Sequence, residues 1–161
     1  MANQTIKLKK YSDVIYELTA HEAITPGMLL WGTTSGLTEP HPVAGGNVLP
    51  AFALEDELQG KGIDDDYAEG DKVQIWVPGR GDIVNALLAD DQDVVIGDWV
   101  ESDGEGRLRI HTADPGDSTV GTIVNPLVGV VTLAASSGLG SGSESSAEGL
   151  YHNTRVRVMI Y

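Results

Sequence analysis

Apolar and polar residues alternate along several short segments of the chain, and this two-residue period is typical of β-strands with one buried face. The alternation is clearest in residues 72–77 (KVQIWV) and 154–161 (TRVRVMIY), where valine or isoleucine occupies every second position. Residues 93–100 and 106–112 carry shorter apolar runs, with Ser102-Asp103-Gly104-Glu105 between them. Asp-Gly between two such runs is a strong hairpin signal. These segments therefore predict strands, two of them joined by a tight turn.

A helical period is weak throughout the sequence. The best helical candidate is Asp82–Ala89, which is too short to form a stable helix by itself. The 20 glycines and 7 prolines divide the rest of the chain into short pieces. Many short strands separated by turns predict an all-β fold, and we expect a compact β-barrel or β-sandwich.

Three apolar segments recur in the same order along the chain. The copies are 70, 78 and 83 residues apart: Gly27–Trp31 with Gly97–Val100, Leu49–Leu54 with Leu127–Thr132, and Lys72–Val77 with Arg155–Ile160. A duplication and a chance similarity between strands both stay open at this level. Each half has too few strands to be stable alone, so we expect two similar β-units that share one core.

The chain is strongly acidic and contains no cysteine. Its 161 residues include 24 acidic and 10 basic ones, a formal net charge of −14, which would repel nucleic-acid phosphates. The absence of cysteine excludes disulfides and thiolate chemistry. No apolar run is long enough to span a membrane, and the polar start MANQTIKLKK does not resemble a signal peptide. We expect synthesis in a host cytoplasm and neither nucleic acid nor membrane as a partner.

Two segments differ from the rest in composition. Residues 136–149 are mostly serine and glycine and predict a flexible loop, assigned as residues 135–150. Residues 1–10 contain three lysines and no acid, which predicts an N-terminal arm over residues 1–20 and a β-rich domain over residues 21–161. Charged edge strands are routine in β-proteins, so a solvated edge strand and a partner-binding arm both explain the arm. We expect the body to fold without residues 1–10, because its repeated core begins near Ile24.

The arm is our candidate for the binding of a partner or a neighbouring subunit. Three of the five lysines of the chain lie in this segment, whereas the rest of the chain carries −17. An extended arm can add a strand to a neighbouring sheet edge, with apolar side chains in pockets and lysines on acidic surface. The candidate binding residues are Ile6, Lys7, Leu8, Lys9, Lys10 and Tyr11.

No catalytic motif is present in the sequence. It lacks G-x-S-x-G, H-E-x-x-H and the phosphate-binding G-x-x-x-x-G-K-[ST], and its four histidines are not at metal-ligand spacing. Arg80-Gly81-Asp82 spells an adhesion tripeptide, for which a plain turn is the default interpretation. Acidic clusters at residues 64–71 and 90–93 could supply oxygen ligands for Ca²⁺, but neither fits the EF-hand pattern and solvated turns explain them. We expect neither enzymatic activity nor a cofactor or metal.

The three tryptophans admit two interpretations. Trp31, Trp76 and Trp99 could form a platform for sugar binding, or they could lie in the core. All three lie in strand-like segments, and Trp31 and Trp99 occupy similar places in the two repeats, so we favour burial of all three.

Several stretches resemble head decoration proteins, also called cement proteins, of tailed bacteriophages and archaeal tailed viruses. The resemblance rests on Gly81–Arg109, on the GMLL start at Gly27, on Ala51–Glu57, on the GDKV strand at Gly70 and on the closing RVRV strand, and it covers most of the chain from about Ile24. The Ser/Gly-rich loop is longer than this family leads us to expect.

This resemblance implies a small β-rich protein that binds the outside of an assembled icosahedral capsid. Such proteins often sit as trimers around three-fold positions and stabilise the shell. The partners implied are the major capsid protein and further copies of this chain, and the location implied is the capsid exterior of the virion. A carbohydrate- or receptor-binding β-module of the virion is the alternative, and it would place tryptophan rings on an exposed face.

Overall fold

Nearly all regular structure in the chain is β-strand, as the alternation predicted. The computed structural model describes residues 6–9, 14–112, 127–136 and 154–161, of which residues 7–9 and 14 are described by their backbone. The strands are β1 (Lys7–Lys9), β2 (Val14–Ala20), β3 (Leu30–Gly32), β4 (Leu37–Pro40), β5 (Phe52–Ala53), β6 (Lys72–Val77), β7 (Ile83–Leu87), β8 (Asp93–Val94), β9 (Trp99–Ser102), β10 (Leu108–Ile110), β11 (Gly129–Leu133), β12 (Ala135–Ser136) and β13 (Arg155–Ile160), and a 3₁₀ turn spans Glu57–Gln59.

The strands form packed sheets rather than a closed barrel. One sheet has the order β3-β4-β2-β6-β5, the second has the order β1-β7-β13-β11-β9-β10, and β8 pairs with β12 in a small ribbon. The predicted strands at residues 72–77 and 154–161 are confirmed as β6 and β13, and the predicted hairpin is β9–β10. The helical candidate Asp82–Ala89 is instead strand β7, which is buried on both faces from Val84 to Leu87. A run that is apolar on both faces carries no two-residue period.

Backbone pairing confirms the internal repeat. We define unit 1 as β2 to β6 and unit 2 as β7, β9, β10, β11 and β13. In each unit the first strand pairs antiparallel with the last, the fourth with the last, and the second with the third, and the first strand meets the third in parallel. Corresponding hydrogen bonds are Ala20 N–H to Asp71 C=O and Leu88 N–H to Thr154 C=O, His21 N–H to Thr38 C=O and Ala89 N–H to Leu108 C=O, and Gly27 N–H to Ala53 C=O and Gly97 N–H to Val131 C=O.

The equivalence reproduces the offsets read from the sequence. Leu29 lies opposite Phe52, and Trp99 lies opposite Val130, which are the 70- and 78-residue offsets. Phe52 lies opposite Trp76, and Val130 lies opposite Met159, which adds the 83-residue offset. The equivalent of Trp99 is therefore Leu29, so the expectation that Trp31 and Trp99 match was wrong by two positions.

The two units share one core, as expected. The inner face of unit 1 forms a cluster of its own: Ala20, Ile24, Leu30, Ala51, Ala53, Tyr67, Val73 and Ile75. The larger cluster combines the inner face of unit 2 with side chains from the outer face of unit 1, among them Leu29, Phe52 and Trp76. Unit 1 thus packs its outer face against unit 2, and this asymmetry decides which surfaces stay open.

The expected boundary at residue 20 does not separate an arm from the body. Strand β2 pairs with β6 from Val14 opposite Val77 to Thr19 opposite Lys72, so residues 14–20 belong to unit 1. These residues alternate as a regular strand, and a charged segment just before them does not stop that pairing. Ala135 and Ser136 form β12, and residues 137–150 of the expected loop lie outside the described residues.

Candidate functional site

The N-terminal segment is bound to its own chain in this structure. Strand β1 pairs antiparallel with β7 at one end of the six-stranded sheet. The carbonyl of Ile6 accepts the Asn85 N–H at 2.9 Å, and its own N–H donates to the Glu55 carboxylate at 3.2 Å. The Ile6 side chain is fully buried in the shared core. It is therefore not available to fill a pocket of a neighbour.

The other predicted binding residues lie beside or outside the described side chains. Lys7 and Lys9 lie opposite Val84 and Ile83 on β1, and Leu8 lies between them. Lys10 and Tyr11 fall outside the described residues. Because β1 ends the sheet order, no described strand pairs with its second edge. The edge-strand interpretation fits this placement, and a role in partner binding stays a prediction.

Two of the three tryptophans are exposed, which corrects the expectation that all three lie in the core. Trp76 is fully buried, whereas Trp31 is 43% and Trp99 is 36% exposed. A strand has two faces, and the sequence pattern does not say which of them another element covers. Each exposed ring lies in an apolar surface, and these two surfaces are the main candidate docking sites of the described chain.

The first surface, which we call the Trp31 groove, opens on unit 1. It has a volume of about 280 Å³ and is lined by Tyr16, Leu30, Trp31, Gly32, Thr38, Leu49 and Ala51. The Trp31 ring lies edge-on to His41, with 5.7 Å between ring centroids. Glu39 lies opposite Trp31 in the β3–β4 pair, so a carboxylate borders the groove. The groove offers an aromatic wall and an acidic edge.

The second surface, which we call the open row, crosses three strands of unit 2. Trp99 on β9 lies opposite Val130 on β11, which lies opposite Met159 on β13. Side chains at directly paired positions point to the same face of a sheet. The Tyr161 ring lies edge-on to Trp99 at 5.0 Å, and the Arg80 guanidinium lies 4.6 Å from the Tyr161 ring. The open row is an exposed apolar face with a cationic neighbour.

The buried polar side chains are paired with one another and closed to solvent. Glu101 is fully buried and accepts from Arg109 and from Nδ1 of His111, each at 2.7 Å. Nδ1 of His41 lies 2.8 Å from Ser102 Oγ, and its Nε2 donates to the Asn47 carbonyl at 3.0 Å.

A serine beside a histidine is the beginning of a nucleophilic site, but Ser102 and His41 are each 1% exposed. A substrate cannot reach a nucleophile at this depth. This pair joins the loop after β4 to the β9–β10 hairpin, which is a structural role.

Arg155 ties the two units together at their junction. Its guanidinium donates to the Pro26 and Ile63 carbonyls at 2.6 Å each and forms an ion pair with Asp64 at 3.1 Å. Burial lowers the pKa of Arg155, and the hydrogen bond to Asp64 opposes that shift. Nearby, burial raises the pKa of Tyr67 to about 12, and its hydroxyl donates to the Leu54 carbonyl at 2.8 Å.

The acidic clusters hold turns in place. The carboxylates of Asp65, Asp71, Asp82 and Asp98 each accept a hydrogen bond from the backbone N–H three residues earlier. The Lys61 ammonium also bonds to Asp71 at 2.7 Å, and that hydrogen bond is the main cause that lowers the pKa of Asp71. Asp82 of the Arg80-Gly81-Asp82 tripeptide is fully buried in such a turn, which confirms the plain-turn interpretation.

Two searches of the described residues gave negative results. No group of three or more histidines or acids is disposed to hold a metal ion within residues 6–9, 14–112, 127–136 and 154–161. Over the same ranges, no helix has the length and apolar character needed to cross a membrane.

The fold and its surfaces define a two-unit β-protein with apolar docking faces. No protein-family model and no curated protein matches the sequence. The chain is similar in structure to the N base of the head fiber protein gp8.5 of bacteriophage phi29, with a TM-score of 0.54. The match covers 93% of this chain and 95% of the phage chain, at 12% sequence identity. At this identity the likeness shows a shared fold.

Proposed function

We propose that this chain is a structural protein of a tailed-phage virion that binds the outer surface of the assembled capsid and stabilises it. The observation that carries the proposal is the fold likeness to the base of a phage head fiber, which extends over nearly the whole of both chains. The sequence resemblance to head decoration proteins points to the same location. A fold by itself does not determine function, so the proposal rests on these two similarities together.

Capsid stabilisation needs binding and no catalytic chemistry. A protein that binds the assembled shell and bridges its subunits shifts the equilibrium toward assembly by mass action. The net charge of −14 keeps many copies soluble before they dock. We further propose, from the family resemblance, that the protein docks as a homotrimer on the major capsid protein.

The test is co-sedimentation of the purified protein with heads that lack it. Saturable binding, together with a higher temperature of head disruption, is the expected result. Failure to bind heads of any assembled form would refute the capsid role.

Strand β1 and its lysines are the proposed contact to the capsid. The second edge of β1 can accept a strand, and lysines at the rim of an interface act mainly on the association rate and its salt dependence. We expect K7A/K9A/K10A to weaken head binding, most strongly at low salt. The variant K61A/K72A changes the other two lysines and is the matched control. Equal binding by both variants would move the contact away from β1.

A carbohydrate- or receptor-binding module of the virion is the second candidate function. Exposure of Trp31 and Trp99 favours it, because exposed aromatic rings stack on sugars and on other ligands. Titration with a saccharide panel should then quench the fluorescence of Trp31 or Trp99, and the variants W31F and W99F assign the ring. A protein that binds heads while its fluorescence ignores all saccharides supports the capsid function instead.

A further inference from the structure

We propose that copies of this chain associate head to tail, with the open row of unit 2 of one copy seated in the Trp31 groove of unit 1 of the next copy. The inference deepens the homo-oligomer part of the proposed function, but it concerns the free protein and does not require capsid binding. It rests on comparing equivalent positions of the two units.

The open row has a covered counterpart in unit 1. Trp99, Val130 and Met159 are equivalent to Leu29, Phe52 and Trp76. The three unit 1 side chains are fully buried, because that outer face packs against unit 2. In unit 2 the same face is apolar, yet Trp99 is 36% and Met159 is 38% exposed. Unit 2 therefore presents the face that unit 1 uses for packing, and within the described chain no third unit covers it.

The Trp31 groove is the reciprocal case. Strand pairing makes Tyr16, Trp31 and Gly32 equivalent to Val84, Glu101 and Ser102. The unit 2 residues are at most 1% exposed. Val84 belongs to the shared core, and Ser102 bonds to His41 and to the Gly45 N–H of unit 1. Unit 1 thus covers this part of unit 2, whereas Tyr16, Trp31 and Gly32 are exposed.

The two open surfaces are complementary in kind. The row presents Trp99 and Met159, which are large and adaptable apolar side chains, and the groove presents an aromatic wall. Arg80 lies beside the row through its contact with Tyr161, and Glu39 borders the groove. Packing of one chain on the next would repeat the contact that already joins unit 1 to unit 2, so the occupant is a second copy of this chain.

A contact between two different surfaces is heterologous. Such a contact produces a closed ring when its rotation closes, whereas a two-fold contact would bring the same surface of both copies together. A cyclic trimer satisfies this rule, and every copy in it uses one row and one groove.

The test uses two variants that each damage one surface. Met159→Lys damages the row, and Trp31→Glu damages the groove; both positions are exposed, so both variants should keep the wild-type circular dichroism and melting temperature. Light scattering of the full chain at about 100 µM should show an oligomer for the wild type and monomers of 17.0 kDa for each variant. Each change should weaken association at least about 30-fold, as loss of a central interface side chain does. Leu58→Lys, at a 94% exposed position outside both surfaces, is the control and should stay oligomeric.

Mixing the two variants identifies the head-to-tail geometry. The Trp31→Glu copy keeps an intact row and the Met159→Lys copy keeps an intact groove, so one sound contact can form. The mixture should give a 1:1 dimer of about twice 17.0 kDa and no larger species.

A monomeric wild type would overturn the inference, as would loss of the oligomer in Met159→Lys alone, which means that the row packs on itself. Two oligomeric variants would also overturn it. Head binding measured separately decides the capsid function, so either proposal can fail without the other.

Discussion

Replacement of Ile6 by alanine should destabilise the whole protein, although Ile6 lies in the segment that the sequence marks as an arm. Ile6 is fully buried and packs in the core that joins the two units. Truncation of a fully buried isoleucine costs about 2–5 kcal/mol, because apolar contact is lost and a cavity remains. For a chain of this length, 1 kcal/mol lowers the melting temperature by about 2–4 °C, so a loss of about 3 kcal/mol corresponds to roughly 6–12 °C.

The matched control for this experiment is Ile15→Ala. Ile15 has the same side chain on strand β2 but is 43% exposed, so its truncation should cost about 1 kcal/mol or less. Thermal and urea unfolding, followed by circular dichroism, measure both variants. Equal shifts for Ile6→Ala and Ile15→Ala would show that Ile6 does not pack in the core of its own chain, and would return it to the pocket of a neighbour.

The same contact changes what a deletion of residues 1–10 can report. The expectation that the body folds normally without this segment is replaced, because the deletion removes Ile6 and strand β1. Loss of head binding by the deletion variant would then mix unfolding with loss of a contact. The lysine variants described above keep Ile6 and separate the two effects.

Three further predictions follow from the junction and the buried polar groups. Gly27→Ala should destabilise the fold more than Gly97→Ala: both glycines have a positive φ in equivalent turns, but a Cβ at Gly27 would meet Arg155 and the Asn85 carbonyl, whereas Gly97 faces open space, and urea unfolding measures the difference. Tyr67 ionises in the unfolded chain near pH 10 and in the fold near pH 12, so stability should fall by up to about 2–3 kcal/mol as pH rises from 10 to 12; Tyr67→Phe should lack this fall and Tyr16→Phe should keep it. Glu101→Gln should cost about 3 kcal/mol in chemical unfolding because it leaves Arg109 with a neutral partner at a buried site, whereas the exposed Glu105→Gln should cost almost nothing, and equal stability of the two variants would contradict a buried ion pair.

Local sequence was sufficient for the strands whose two faces differ. Residues 72–77 and 155–160 have one apolar and one more polar face, and the two-residue period located both strands. Strand β7 was missed because both of its faces are buried, which leaves a continuous apolar run that resembles a short helix. The acidic turns were also predictable, since Asp next to Gly at these positions bonds to the local backbone.

The internal repeat was determined by the sequence by itself. Its three offsets of 70, 78 and 83 residues are the offsets at which the two units pair their strands, because the order of strands in each unit follows the order of its apolar segments. The glycine-containing turns at Gly27 and Gly97 mark equivalent positions for the same reason.

Only the tertiary structure decided which apolar face is covered. Leu29, Phe52 and Trp76 and their equivalents Trp99, Val130 and Met159 are all apolar, so composition gives no reason to bury one set and expose the other. The difference arises because unit 1 has unit 2 against its outer face, whereas in the described chain unit 2 has no further unit against its own. Burial depends on contacts between segments far apart in sequence, and for this reason Ile6, Trp31 and Trp99 could not be placed from their local pattern.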